Sequence, residues 1–145
     1  MATVLLVDDD VGLLGTLGLL IAAEGHLVRT ATNGRDALRL ALESRPDIVV
    51  TDCAMPVMDG ISLVREMKQY AELASVPVIL TSDAWRRPHV KVFAFLRKPF
   101  PVTVLLRQMH RLHQRRSTSK TNAFPKRSRE VFMSAAMRVS AKRSW

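Results

Sequence analysis

The stretch Asp47-Ile-Val-Val-Thr-Asp52-Cys53-Ala-Met-Pro56-Val-Met-Asp-Gly60 decides the fold. Its short apolar run, rich in β-branched residues, predicts a buried strand that ends at Asp52. The Pro and Gly residues that follow are typical of a loop leading into a helix. Reactive groups of parallel α/β sheets gather at the carboxyl ends of the strands, so Asp52 is the first candidate for chemistry.

Three further predicted strands also end in polar residues. Val4–Val7 runs into Asp8, Asp9 and Asp10; Val76–Thr81 runs into Ser82; and Phe93–Leu96 runs into Arg97, Lys98 and Pro99. An acid cluster, a single acid, a hydroxyl and a lysine therefore all fall at strand ends. Carboxylate oxygens suit Mg²⁺, so this arrangement predicts a magnesium-assisted phosphoryl acceptor.

Helical periods alternate with these strands, and a short additional strand is predicted at His26–Ala31. Five strand–helix units predict an α/β fold, a doubly wound five-stranded parallel sheet with helices on both faces. The stretch from Asp83 to Val92 is the least regular, because Arg86-Arg87-Pro88 interrupts it. It leaves room for little more than one turn, so a shortened fourth helix is expected.

The charge of the chain is divided unevenly along its length. Residues 1–106 hold 11 Lys+Arg and 12 Asp+Glu, whereas residues 107–145 hold 11 Lys+Arg and a single acid, Glu130. The composition becomes polar and basic from about Gln114. These features predict a globular domain over residues 1–114 and a basic, mostly disordered tail over residues 115–145.

Several protein classes are disfavoured by composition. The longest apolar stretch, Leu13–Ala23, is shorter than the roughly 20 residues of a membrane span. No basic region precedes an apolar run at the N-terminus, which argues against a secretory signal. The single cysteine fits a reducing compartment. The expectation is a cytoplasmic protein without a membrane partner.

Four segments, taken together and in this order, resemble the receiver domain of two-component response regulators over about Thr3 to Gln114. They are Val4-Leu-Leu-Val-Asp8-Asp9-Asp10, Asp52-Cys-Ala-Met-Pro56 with Met58-Asp59-Gly60, Pro77-Val-Ile-Leu-Thr-Ser82, and Phe95-Leu-Arg-Lys98-Pro99-Phe100. The resemblance implies a flavodoxin-like receiver fold with strand order 2-1-3-4-5. It also implies phosphorelay signalling, with a histidine kinase or phosphotransfer protein as donor and a downstream protein as target. Self-catalysed phosphoryl transfer and hydrolysis are expected, and a metabolic enzyme is not.

The resemblance assigns a role to each candidate residue. Asp52 is the phosphoacceptor, and Lys98 pairs with the phosphoryl group. Asp8, Asp9, Asp52 and the backbone carbonyl of Ala54 form the Mg²⁺ site. Ser82 is the switch hydroxyl and Phe95 the aromatic that reorients on activation. Thr81 is the alternative switch, but counting from Pro77 favours Ser82.

Two departures from the family pattern keep other functions open. Sixteen positions separate Ser82 from Lys98, fewer than is usual in the family, so the surface that signals to partners is expected to differ from the family's. Asp83 follows the switch hydroxyl where a small residue is usual, and it either slows phosphorylation or points to solvent. One alternative is therefore a degenerate, phosphorylation-independent interaction module.

The basic tail provides a further alternative, a regulator that binds nucleic acid through it. The tail is too short for a helix-turn-helix or winged-helix domain. It either has no selected role, binds nucleic acid or an acidic partner, or docks on the chain's own acidic pocket in competition with Mg²⁺.

Overall fold

The computed structural model describes the backbone of residues 1–122 and the side chains of residues 1–115, and it contains five strands and four helices in this range. The elements are β1 (Thr3–Val7), α1 (Val11–Ala23), β2 (Leu27–Ala31), α2 (Gly34–Glu43), β3 (Ile48–Asp52), α3 (Gly60–Met67), β4 (Val78–Ser82), β5 (Ala94–Arg97) and α4 (Val102–Asn122). The strands form one parallel sheet in the order β2-β1-β3-β4-β5. The doubly wound fold and its strand order are therefore confirmed.

The burial of each strand follows from its place in the sheet. Strands β3 and β4 are buried along their whole length, as expected for central strands rich in β-branched residues. Strand β2 lies at the edge, and its Leu27 is 57% exposed. Buried side chains from the sheet and from α3 meet in the core, among them Leu5, Val49, Leu63 and Met67.

Short polar side chains start the helices that follow the first three strands. Each accepts a hydrogen bond from the backbone N–H three residues later, which satisfies a donor that the helix itself leaves free. The pairs are Asp10 with Leu13 (3.1 Å), Asn33 with Asp36 (2.9 Å) and Asp59 with Ser62 (2.7 Å). Asp10, Asn33 and Asp59 therefore act as helix caps.

The segment between β4 and β5 differs from expectation. Residues 83–93, all of which the structure describes, contain no helix, so the prediction of a shortened fourth helix is wrong. Pro88 lacks a backbone N–H and disfavours helical geometry in the residue before it, which explains the loss. The segment is anchored instead by Val90 and Val92, which pack against the core, and by the Phe93 N–H, which donates to the Val78 carbonyl (2.9 Å).

The chain divides into two units, Met1–Met109 and His110–Trp145, and the sheet belongs to the first. Helix α4 continues past Gln114, where the composition begins to change, and is described as far as Asn122. The predicted tail beyond Asn122 lies outside the described residues, and the domain boundary at residue 114 stays a prediction. Across residues 1–122, the structure contains no helix long and apolar enough to cross a bilayer.

Candidate functional site

The register of the sheet places the predicted site residues at one edge. Val7 pairs with Thr51, so Asp8 and Asp52 leave adjacent strands side by side. Asp52 in turn pairs with Thr81 on β4, and Ser82 pairs with Arg97 on β5, directly before Lys98. Four neighbouring strand ends thus converge, as the sequence predicts for the carboxyl edge of a parallel sheet.

Three carboxylates meet at this edge. Asp8, Asp9 and Asp52 each present an oxygen atom, and these oxygens all lie within 4.8 Å of one another. Asp8 and Asp52 are buried, with 4% and 7% of their surface exposed, whereas Asp9 faces solvent. Asp8 Oδ1 accepts a hydrogen bond from the Asp10 N–H (2.9 Å), which fixes the orientation of that carboxylate.

Lys98 reaches into the acid cluster from the end of β5. Its Nζ donates to Asp8 Oδ2 at 2.8 Å and lies 3.4 Å from Asp52 Oδ2. Burial alone disfavours the charged lysine, but the hydrogen bond to Asp8 and the charge of Asp52 outweigh it and raise the Lys98 pKa. The peptide bond that follows, Lys98–Pro99, is cis. Lys98 is therefore held as an ammonium between two carboxylates.

The surroundings of Asp52 disfavour its charged form, whereas those of Lys98 favour the charged ammonium. Burial raises the pKa of Asp52, and the negative charge of Asp8 adds to this, although the Lys98 charge opposes both. Without a further cation, the ionised carboxylate is thus less stable here than in water. The cluster has a deficit of positive charge.

This deficit matches a divalent cation. Three carboxylates facing one ammonium leave two negative charges uncompensated. The donors are all hard oxygen atoms, without a histidine or thiolate among the three, which favours Mg²⁺ over softer transition metals. The residues present therefore fit the predicted metal.

The loop after Asp52 is tied to its surroundings at several points. The Gly60 N–H donates to the Cys53 carbonyl (2.9 Å), and the Gly34 N–H donates to the Met58 carbonyl (2.8 Å). Between these points, Val57 has a φ of 69° within a turn closed by a hydrogen bond from the Met58 N–H to the Pro56 carbonyl. A Cβ at Gly60 would lie 2.0 Å from the Asp52 carbonyl oxygen. The backbone around Asp52 therefore has no room for a side chain at Gly60.

The two candidate switch hydroxyls have different partners. Thr81 Oγ1 is directed at the Thr51 carbonyl of the neighbouring strand, at 3.5 Å. Ser82 Oγ accepts from the Ala84 N–H (3.0 Å), at the start of the irregular loop. Burial raises the pKa of the Cys53 thiol, against the effect of a hydrogen bond with Ser82. Ser82 therefore ties the end of β4 to the start of the loop between β4 and β5.

The remaining predicted residues are placed but their roles stay predictions. Ala54 lies exposed in the loop two residues past Asp52. Phe95 pairs with Leu80 in the sheet and is half-buried. Asp83 is exposed, as expected if it points to solvent.

Sequence reasoning missed one contact near the site. The guanidinium of Arg97 lies over the Trp85 ring, with Cζ 3.1 Å from the ring centre. The sequence signal for this contact is Trp85 followed by two arginines in the irregular stretch between β4 and β5. The partner, Arg97, became evident only from the register of β4 and β5.

Comparison with known proteins places the chain in a family. Residues 4–110 match the model of the response regulator receiver domain. The chain therefore belongs to the receiver family of two-component response regulators.

Two curated relatives show how far the similarity extends. The transcriptional regulatory protein GlrR of Escherichia coli is 39% identical over 104 residues, which cover 68% of this chain and 23% of the relative. The transcriptional regulatory protein PrrA of Mycobacterium tuberculosis is 35% identical over 126 residues, covering 83% and 53%. The chain thus spans from about a quarter to about half the length of these relatives.

Solved structures agree with this placement. Chemotaxis response regulator CheY4 of Vibrio cholerae is 29% identical with a TM-score of 0.71, covering 77% of this chain and 98% of that one. The receiver domain of sensor histidine kinase PA1611 from Pseudomonas aeruginosa, solved with a magnesium ion coordinated in its active site cleft, is 26% identical. Its TM-score is 0.72, and the match covers 77% of this chain and 96% of that one.

Proposed function

We propose that this receiver domain accepts a phosphoryl group on Asp52 in a histidine-to-aspartate phosphorelay, with a histidine kinase or phosphotransfer protein as donor. The observation that carries the proposal is the convergence of Asp8, Asp9 and Asp52 around a charge deficit, with Lys98 held beside the acceptor. In the transfer, a carboxylate oxygen of Asp52 forms a bond to phosphorus as the bond from phosphorus to the donor's histidine nitrogen breaks. The product is an acyl phosphate.

The chain's own residues have separate tasks in this reaction. Asp8, Asp9 and Asp52, with the Ala54 carbonyl, would hold Mg²⁺, which supplies positive charge that offsets repulsion between the carboxylate and the incoming phosphoryl group. Lys98 already lies 3.4 Å from Asp52 Oδ2, so its ammonium can move from Asp8 to a phosphoryl oxygen. Ser82 can donate its hydroxyl proton to another phosphoryl oxygen and give up its contact with the Ala84 N–H.

The signal is then carried by protein contacts. A phosphoryl group adds roughly 1.5 to 2 negative charges and several strong acceptors. The Ser82 hydroxyl and the half-buried Phe95 are the groups that would respond to it. Hydrolysis of the acyl phosphate returns the domain to its starting state, so the protein acts on its own phosphoryl group and not on a metabolite. We place it in the cytoplasm, since its single cysteine fits a reducing compartment.

A phosphorylation-independent interaction module is the second candidate, and the loss of the helix between β4 and β5 favours it. That loss alters the surface beside β5 but leaves the acid cluster intact. The acid cluster would serve no purpose in a module that never accepts a phosphoryl group. Phosphoryl acceptance therefore remains the better-supported function.

The test is incubation of the full chain with acetyl phosphate, with and without Mg²⁺, followed by intact mass measurement. The wild type should gain the mass of one phosphoryl group only when Mg²⁺ is present. Asp52→Asn should gain none. Exposed Asp36→Asn, which lies in α2, is the matched control and should behave as the wild type. Absence of a phosphoryl group on both wild type and Asp36→Asn would favour the second candidate.

A further inference from the structure

The net positive charge of the chain belongs to the second of its two units. Residues 1–109 hold 12 Lys+Arg and 12 Asp+Glu, whereas residues 110–145 hold 10 Lys+Arg and one acid, Glu130. The formal net charge of +9 therefore comes entirely from residues 110–145. Charge concentrated in one part of a chain creates a local potential that attracts polyanions.

The described part of this second unit is the C-terminal portion of α4, residues 110–122, called the basic helix segment below. Arg111 and Arg115 are both exposed and lie four residues apart, which is about 6 Å along the helix axis. The sequence of the segment contains no Asp or Glu, so no carboxylate within it competes with an incoming anion. Its four cationic residues are Arg111, Arg115, Arg116 and Lys120.

The side chains of the segment that are described and exposed are all polar. His110 and Gln114 lie one helical turn apart, with their Nε2 atoms separated by 3.2 Å. The single apolar residue of the segment, Leu112, is buried. Arginine, glutamine and other polar side chains make most of the contacts between proteins and DNA phosphates. The segment thus presents hydrogen-bond donors and positive charge without an exposed apolar area.

Duplex DNA carries one negative charge per about 1.7 Å of its axis, so Arg111 and Arg115 can each contact a separate phosphate. The counterions that these contacts release supply the favourable free energy. The major groove of DNA admits an α-helix, whereas the narrow major groove of an RNA duplex does not. We propose that the basic helix segment binds the phosphate backbone of duplex DNA without sequence preference.

Other anionic partners fit the segment less well. A helix that lies on a membrane inserts an apolar face, but Leu112 is buried and the other twelve residues are polar. Single-stranded nucleic acid binds by stacking on Phe, Tyr or Trp, which the segment lacks. Protein partners are usually bound through an aromatic or apolar residue at the centre of the interface. Charge complementarity therefore favours duplex DNA.

This inference goes beyond the proposed function and does not depend on phosphorylation. Unphosphorylated full-length protein in chelator is titrated into two fluorescein-labelled DNA duplexes of about 20 base pairs and unrelated sequence, while fluorescence anisotropy is recorded. Both duplexes should bind saturably, with affinities within about twofold of each other. With four phosphate contacts, each adding about −0.9 to the logarithmic salt slope, the affinity should fall about a hundredfold between about 50 and 200 mM salt.

Substitutions on the segment separate phosphate contact from general attraction to a basic chain. Arg111→Gln with Arg115→Gln should weaken duplex binding about tenfold and make the salt slope shallower by about 2. Lysine at both positions keeps the charge and should retain the affinity within about threefold. The matched control, Arg86→Gln with Arg87→Gln, removes the same charge from exposed positions outside α4 and should change the affinity by less than about twofold.

All four substituted positions are exposed, so each variant should fold, and circular dichroism checks this. Equal weakening by the two glutamine variants would overturn the proposal, because the DNA would then respond only to net charge. A preference of more than about tenfold for one duplex would exclude recognition through phosphates alone. Absence of saturable binding at about 50 mM salt would exclude the segment as a DNA contact.

Three further probes test the choice of partner. They are a polyglutamate peptide, a single-stranded thymidine oligonucleotide of matched charge, and vesicles of anionic lipid. Each should bind more weakly than the duplex. Tighter binding of one of them, lost in Arg111→Gln with Arg115→Gln, would assign the segment to that partner and overturn the proposal. None of these outcomes bears on phosphoryl acceptance at Asp52.

Discussion

At the residue scale, the electrostatics of the site depend on Lys98. Its position after a strand and before Pro99 was enough to predict that it lies near Asp52. Its closer partner is Asp8, at 2.8 Å against 3.4 Å for Asp52, and the sequence pattern did not indicate this. The choice between two carboxylates depends on side-chain geometry at the level of tenths of an ångström, which strand positions alone do not determine.

Replacing Lys98 should therefore expose the repulsion it offsets. In Lys98→Met, two buried carboxylates lose their shared cation, and we expect the free energy of unfolding in chelator to fall by about 2 to 3 kcal/mol. Urea denaturation measures the loss. Lys91→Met, at an exposed lysine of the loop between β4 and β5, should change it by less than about 0.5 kcal/mol. Equal effects of the two substitutions would show that Lys98 has no special electrostatic role.

Asp52→Asn should have the opposite effect on stability in chelator. The pKa of Asp52 is raised in the folded state, so above that pKa its ionisation opposes folding, and the penalty disappears as pH falls below the carboxyl's ordinary pKa. Asn carries no charge, so the variant should be more stable than the wild type at neutral pH, with the difference shrinking in acid. Urea denaturation at several pH values checks this.

Saturating Mg²⁺ should make the wild type more stable than Asp52→Asn. A ligand present at a hundred times its dissociation constant stabilises the folded state by about 2.7 kcal/mol. We expect the wild type to gain stability of this size at saturating Mg²⁺, and Asp52→Asn to gain much less because one of three carboxylates is lost. Two results would contradict a Mg²⁺ site at Asp52. In the first, the wild type is more stable than Asp52→Asn in chelator; in the second, the wild type gains no stability from Mg²⁺.

At the element scale, the connection from β3 to α3 places the acceptor. The turn was predictable from Pro56 and Gly60, because these residues are typical of such loops. The closeness of Gly60 to the Asp52 backbone was not, since it depends on how the helix starts against the strand. The Gly60 N–H bond to the Cys53 carbonyl leaves no room for a methyl group there.

Gly60→Ala should thus disturb Asp52 directly. The added Cβ would lie 2.0 Å from the Asp52 carbonyl oxygen, so we expect a loss of about 3 kcal/mol or more in unfolding free energy and slower phosphorylation. Gly15→Ala is the matched control, because a Cβ there meets nothing within 4 Å. That substitution lies inside α1 and should stabilise the protein by about 0.5 to 1 kcal/mol. A tolerated Gly60→Ala would mean that the strand end moves freely.

The loop between β4 and β5 is the element where sequence reasoning fell short. Its irregularity was evident from Arg86-Arg87-Pro88, yet a remnant helix was expected because the family has one there. The structure has no helix there, because Pro88 disfavours helical geometry and the valines that follow hold the segment against the core as a loop. Hydrophobic periodicity cannot show this, because two valines can anchor a loop as well as a helix.

The same loop should report phosphorylation. Ser82 Oγ accepts from the Ala84 N–H, next to Trp85, so drawing the hydroxyl towards a phosphoryl group should change the environment of the ring. In Trp145→Phe, which leaves Trp85 as the only tryptophan, acetyl phosphate with Mg²⁺ should shift Trp85 fluorescence. Ser82→Ala should still be phosphorylated but show a smaller shift, whereas Thr81→Ala should retain the full shift. The reverse result would make Thr81 the switch.

At the scale of the whole molecule, the order of elements and the meeting of strand ends were accessible from sequence. Three features made this so: buried strands without charges, polar residues placed at their ends, and the fixed handedness of parallel crossovers. Features that depend on tertiary contact were not accessible, such as the Trp85–Arg97 contact. Residues 123–145 of the basic tail lie outside the described residues, so the role of the tail stays a hypothesis.

Identification of the modified residue tests the central claim most directly. After incubation with acetyl phosphate and Mg²⁺, borohydride reduces an aspartyl phosphate to homoserine, and peptide mass mapping locates it. We predict homoserine at position 52 in the wild type, only when Mg²⁺ is present. Homoserine at another acid, or at none while a control receiver is labelled, would contradict the assignment of Asp52 as the phosphoacceptor.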